Sequence, residues 1–178
     1  MKKIFPFFLL LVAALPAATE SPRVSRAMLS PMEKSLDGRL QRLWDDNPLA
    51  LLGSTRGVYL DGYGAVFTVE FSLAAGPISL MHTNFSKDEK ERLRVKKTDR
   101  LPLLVKAMRT ALMETAASLD TVPAEEQIVI AVFFPRYPDE DTRGLPAQIT
   151  FTGQKKKLLD AKRANGSGLE AAVRVTEY

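Results

Sequence analysis

The pattern that most restricts the fold lies in residues 55–73. Ala65, Phe67, Val69, Phe71 and Leu73 alternate there with Val66, Thr68, Glu70 and Ser72. A β-strand turns successive side chains to opposite faces, so this run needs one covered and one open face. Val58-Tyr59-Leu60 reads as a short partner strand, and Asp61-Gly62 between the two is a hairpin turn signal. Gly64 gives the backbone a second place to bend or bulge. Residues 127–134, Gln-Ile-Val-Ile-Ala-Val-Phe-Phe, are apolar on both faces and predict a central, covered strand. Residues 147–152 alternate as a short strand, and residues 169–178 read as a closing strand. After the Gly76-Pro77 turn, residues 78–85 predict one more.

Helical patterns separate these strands. Ser30-Pro31-Met32-Glu33 reads as a capping box with proline at the first helical position. Leu36, Leu40, Leu43 and Trp44 follow on one stripe. Ser86-Lys87-Asp88-Glu89 is another capping box, opening a charged helix to about Lys97. Pro102 suits the first turn of a separate helix, capped by Thr98 or Asp99. In that helix Leu101, Leu104, Val105, Met108, Leu112, Thr115 and Leu119 keep helical spacing. Residues 154–164 read as a short helix, and Asn165-Gly166-Ser167-Gly168 as a turn. The expected fold class is α+β: one domain over residues 31–178, a mostly antiparallel sheet of about five strands, helices packed on one face.

The N-terminus reads as an address. Lys2-Lys3 precedes a nearly unbroken apolar run over residues 4–15, then Pro16-Ala17-Ala18-Thr19-Glu20. This is the order of a secretory signal peptide over residues 1–18, with the cut after Ala17 or Ala18. The run is shorter than the about 20 apolar residues that span a bilayer. No membrane span is expected after cleavage. Residues 19–30, polar and without periodicity, read as a tether. The whole chain carries +4, and loss of Lys2 and Lys3 leaves 23 Lys+Arg against 21 Asp+Glu. A mature charge of +2 creates no field that demands nucleic acid, and none is expected as a partner.

Composition removes several chemistries. With no cysteine, a disulfide scaffold, a thiol nucleophile and a Cys-ligated zinc site are excluded. With His82 the only histidine, a two-imidazole metal site is excluded. No cofactor loop and no metal-ligand spacing is present, so neither a cofactor nor a metal is expected.

The candidate binding constellation is Arg56, Tyr59, Asp61, Gly62, Tyr63, Gly64 and Glu70. A tyrosine between two glycines projects from a turn as an aromatic contact. The plainer alternative is that the glycines serve only positive φ. Asp61 and Glu70 are a carboxylate pair to weigh for general acid–base hydrolysis, with His82 as the other base. Asp139-Glu140-Asp141 supplies oxygen ligands for calcium but lacks the EF-hand spacing, and a solvated acidic loop is the expectation. Residues 87–109 hold nine Lys/Arg against four acids. Arg94 and Lys97 from this stretch, with Lys155, Lys156 and Lys157, are a candidate basic face for anionic lipid or polymer.

The block Arg56-Gly57-Val58-Tyr59-Leu60-Asp61-Gly62-Tyr63-Gly64-Ala65-Val66-Phe67 resembles one in a family of uncharacterised exported bacterial proteins. In that family an aromatic-Leu-x-Gly-Tyr-Gly-x-Val-Phe segment follows a signal peptide. The closing Glu177-Tyr178 is similar too. The resemblance implies export and kinship of fold, and it carries over no catalytic residue. The resulting expectation is a periplasmic or extracellular, non-enzymatic binding or assembly module with an envelope protein as partner. The alternatives are a small exported hydrolase using Asp61, Glu70 or His82, and a basic-face module.

Overall fold

The computed structural model describes residues 24–44, 52–74, 86–136 and 140–178. The expected signal peptide, the start of the tether, the strand at 78–85, His82 and Asp139 lie outside these residues. In chain order the elements are α1 (Arg26–Gln41), β1 (Arg56–Leu60), β2 (Gly64–Glu70), α2 (Lys87–Ser118), β3 (Gln127–Phe133), β4 (Gln148–Gln154), α3 (Lys155–Arg163), α4 (Leu169–Ala172) and β5 (Arg174–Glu177). They form an α+β fold on one sheet, with spatial order β1-β2-β3-β4-β5. β1–β2, β3–β4 and β4–β5 pair antiparallel, and β2–β3 pairs parallel. A parallel neighbour requires the chain to return to the same end of the sheet, and α2 makes that return.

Alternation sorts the sheet into two faces. Ala65, Phe67 and Val69 of β2, Ile128, Ile130 and Val132 of β3, and Ile149 and Phe151 of β4 are all buried on the helix side. α1 adds Leu29, Leu36 and Leu40, and α2 adds Leu104, Met108 and Leu112. On the opposite face the register aligns Val58, Val66, Val129, Thr152 and Arg174 in one row. Arg56, Thr68, Ala131, Thr150 and Thr176 form the next. As expected, β3 is the central strand and is buried over residues 128–132 on both faces. Val129 and Ala131 are buried on the face opposite the helices, while Phe133 at the strand end stays 39% exposed there.

The helices depart from expectation in three ways. α2 is one helix through Pro102, where two were expected. Leu93, Lys97, Arg100, Leu104, Met108 and Leu112 are buried along it, so one continuous face holds both halves together across the missing proline N–H. The Ser86–Glu89 capping box is present, with the Ser86 N–H donating to Glu89 at 2.8 Å and the Glu89 N–H to Ser86 Oγ at 3.3 Å. At the C-terminus, α4 occupies the first residues of the expected closing strand.

α1 starts at Arg26, inside the expected tether, with Pro31 inside the helix and no Ser30–Glu33 box. The reason is the alternative use of Glu33. Its carboxylate is buried and accepts both Arg26 guanidinium nitrogens at 2.5 Å. It also accepts the Gly57 N–H at 2.5 Å, tying α1 to β1. Asp37, one turn further along, accepts the Thr55 N–H at 2.9 Å. Burial by itself raises the Glu33 pKa, but the Arg26 and Gly57 donors outweigh it and hold the group below its ordinary value.

A carboxyl with a lowered pKa in the folded state contributes stability above its unfolded pKa and loses it as pH falls through the folded one. Glu33→Gln is therefore expected to lower stability at neutral pH by about 2 kcal/mol, the range of charged hydrogen bonds. The deficit shrinks as pH drops below the ordinary glutamate range. Urea unfolding of both proteins from neutral pH to acid checks this; a deficit independent of pH refutes the ionic role.

Candidate functional site

The β1–β2 turn is fixed by backbone contact with β3. The Tyr63 N–H donates to the Leu60 carbonyl at 3.0 Å, and the Gln127 N–H donates to the Tyr63 carbonyl at 2.8 Å. Gly64 has φ +134° and a Cβ there would lie 1.9 Å from the Gln127 carbonyl oxygen. Only glycine fits, because β3 leaves no space for a side chain and the φ disfavours L residues. The glycine is thus a packing necessity, and its effect is to place the half-exposed Tyr63 at the mouth of a cleft.

That cleft, of about 460 Å³, is lined by Tyr63, Gln127, Thr152, Gln154, Lys157 and Arg174, with small residues at its floor. Arg174 lies opposite Thr152 on the open sheet face, and Lys157 stands in the first turn of α3. No carboxylate lines the cleft. By contrast, a groove along α2 holds Glu91 and Asp99 with its cations, and another pairs Arg109 with Glu170. Asp160, three residues from Lys157, instead bonds Arg163 at 2.8 Å. Among the described residues neither Lys157 nor Arg174 forms an ion pair.

The other expected binding residues do not join this group. Tyr59 faces the helix side, and its hydroxyl donates to Glu126 at 3.2 Å and approaches Asp61 at 3.4 Å. Glu126 is buried, with its Oε2 lacking a hydrogen-bond partner. Glu70 and Arg56 sit at the opposite end of the strands from the turn. Six residues separate Gly64 from Glu70, so Asp61 and Glu70 lie about 20 Å apart or more. Two carboxylates flanking one scissile bond stand within about 10 Å. The structure therefore does not bring that pair together.

Nor do the five basic residues make a continuous face. Lys97 is buried in an ion pair with Glu140. Arg94 pairs with Glu91 at 2.5 Å and Asp141 at 3.7 Å. Asp141 is held down to about 2 by its Arg143 partner. Glu140, expected in a solvated acidic loop, is instead packed onto α2. Lys155 is buried at the far end of α2, where its ammonium donates to the carbonyls of Leu119 at 2.7 Å, Asp120 at 3.1 Å and Val122 at 2.6 Å. These carbonyls belong to the turn that follows Ser118, and the ammonium gathers them into one cluster. Burial pushes its pKa down, opposed by Asp120. From Lys97 to Leu119 along α2 is about 33 Å. Of the expected cationic face, Lys156 and Lys157 remain as exposed groups at the cleft end.

No protein-family model, no curated protein and no solved structure matches the chain significantly. The site residues that the sequence alone did not single out are Gln127, Thr152, Gln154 and Arg174. They carry no motif: register gathers them from three strands.

Lys155→Met keeps the alkyl packing and removes the donor. It is expected to destabilise the fold by about 2 kcal/mol, since buried carbonyls lose their partner, whereas Lys156→Met stays within about 0.5 kcal/mol. Equal midpoints in chemical unfolding would remove the anchoring role of Lys155 in this turn. Gly64→Ala is expected to cost more than about 3 kcal/mol, combining a clash with a strained φ; a wild-type melting curve for that variant contradicts the close approach.

Proposed function

We propose that the chain is an exported, non-enzymatic binding module that docks a folded envelope protein on the open face of its sheet. The observation that carries this reading is the make-up of that face. Leu60, Val58, Val66 and Val129 form an apolar corner, with Val58 and Leu60 49% and 47% exposed. Phe133 adds an aromatic further along, and Tyr178 follows the β5 end at 68% exposure. Arg56, Arg174 and Glu70 stand at the margins. An apolar and hydroxylic centre inside a polar rim is the anatomy of a protein interface. The rim has both signs of charge and no lysine, which does not suit an anionic bilayer. Five strands of four to seven residues give a footprint of about 500 Å², the lower end for specific complexes.

Export is supported by the basic start, apolar run and small residues of positions 1–18 and by the resemblance of the Gly-Tyr-Gly block. A non-enzymatic role is supported by the separation of Asp61 from Glu70.

The test places photo-crosslinking residues at Val58 and Phe133, and as a control at Leu103, an exposed apolar position on α2. Full-length chain is expressed in its own cells. The expected result is processing and export, and one protein captured from positions 58 and 133 but not 103. Phe133→Asp is expected to reduce capture from position 58 by about tenfold, a loss of about 1.4 kcal/mol. Cytoplasmic retention, capture of a second copy of the chain, or equal capture from Leu103 overturns it.

A further inference from the structure

Five polar side chains converge on the cleft beside the Tyr63 turn, and none of them bonds to another described residue. They are the Tyr63 phenol, the Gln127 amide, the Thr152 hydroxyl, the Lys157 ammonium and the Arg174 guanidinium. Several polar groups nearby or along the helices do find partners. Tyr59 has Glu126 and Asp61, Lys155 has three carbonyls, and Arg94 has Glu91 and Asp141. The five cleft side chains instead share one cavity with no carboxylate in its lining.

We propose that this cleft is a binding site for a small organic anion, one carboxylate or phosphate group on a hydroxyl-rich body about the size of a monosaccharide. It shares Arg174 and Thr152 with the margin of the open sheet face and goes beyond the docking reading. The charge follows from the lining. Two exposed cations without a carboxylate leave a net positive cleft, which attracts an anion. Arg174 offers a planar fork of N–H donors that matches two oxygens of a carboxylate or phosphate at once. Lys157 adds a mobile point charge from the adjoining helix.

The polar body follows from the remaining groups. Amides and hydroxyls both donate and accept, so Gln127, Thr152 and Tyr63 satisfy ligand hydroxyls, which also do both. Gln154 is already committed in part, its Nε2 donating to the Glu125 carbonyl at 3.2 Å. Size follows from the volume. About 460 Å³ far exceeds one inorganic anion and falls in the range of small-molecule sites. The end of α3 does not hold the anion by itself. The Lys155 and Lys156 N–H groups already donate to the carbonyls of Glu126 and Ala124, both at 2.9 Å. Recognition therefore rests on side chains, and substitution reaches it directly.

The experiment is calorimetric titration of the exported chain with three probes: glucuronate, glucose 6-phosphate and glucose. The two anions separate a carboxylate from a phosphate source, and glucose isolates the charge. The expected result is saturable binding of at least one anion, weakened by added salt, with no binding of glucose. Arg174→Gln and Lys157→Gln are each expected to weaken it about tenfold or more, the loss of one charge-assisted contact. Thermal unfolding of both variants is expected to match the parent, since both side chains are exposed and unpaired. Absence of binding for both anions at millimolar concentration, equal binding of glucose, or unchanged affinity in both variants overturns the site. Phe133→Asp is expected to leave anion binding intact, so failure of the sheet-face reading and failure of this one register separately.

Discussion

The parallel pairing of β2 with β3 is the constraint on which the architecture depends. Neighbouring parallel strands cannot be joined by a tight turn, so the chain must cross over the sheet between residues 70 and 127. The 32-residue α2 makes that crossing and puts its buried stripe on one face. α1, α3 and α4 pack beside it. Every described helix packs on the same side, and on the other side Val58, Thr68 and Phe133 are exposed. The open face is thus a consequence of one topological choice. The cleft follows from it as well. β2 and β3 start at the same end, and the turn before one and the helix after β4 meet there.

Charge in this protein works mainly as mortar. Lys97 and Arg94 hold the loop carrying Glu140 and Asp141 against α2, and Lys155 closes the far end of the same helix. Sequence counts treat these residues as equivalent to Lys157, but their surroundings differ completely. A lysine with three carbonyls around its ammonium has no field left to offer a partner. Position along the fold decides which cations are available. By that measure Lys157 and Arg174 are the informative pair, although neither stands out in a charge plot.

Much of the fold was legible in the sequence because it follows from periodicity. The alternation of residues 65–73, the apolar run of β3 and the Ser86–Glu89 box each reflect local geometry, and each is where the pattern predicts. What was not legible depends on contacts distant in sequence. Glu33 has the spacing of a capping box, but Arg26 and Gly57 compete for its carboxylate and win. Pro102 looks like a helix start until one continuous buried face is seen on both sides of it. The site was half legible. Gly62-Tyr63-Gly64 is conspicuous as a string, and Tyr63 does line the cleft. Arg56, Tyr59 and Glu70, near it in sequence, point elsewhere because a strand disperses its neighbours over two faces and two ends. Arg174 enters only through its register with Thr152.

The contact between α1 and Gly57 has a further consequence. β1 is an edge strand, and an edge normally presents free N–H and C=O groups to any passing chain. Here Glu33 accepts the Gly57 N–H, and Arg26 donates to the Gly57 carbonyl at 3.1 Å. The ion pair therefore imitates the two hydrogen bonds a sixth strand would make at that position. It closes the edge to strand addition without adding a strand. Acid that protonates Glu33 then does more than loosen a helix: it uncovers a template for intermolecular pairing, so aggregation on acidification should begin along β1.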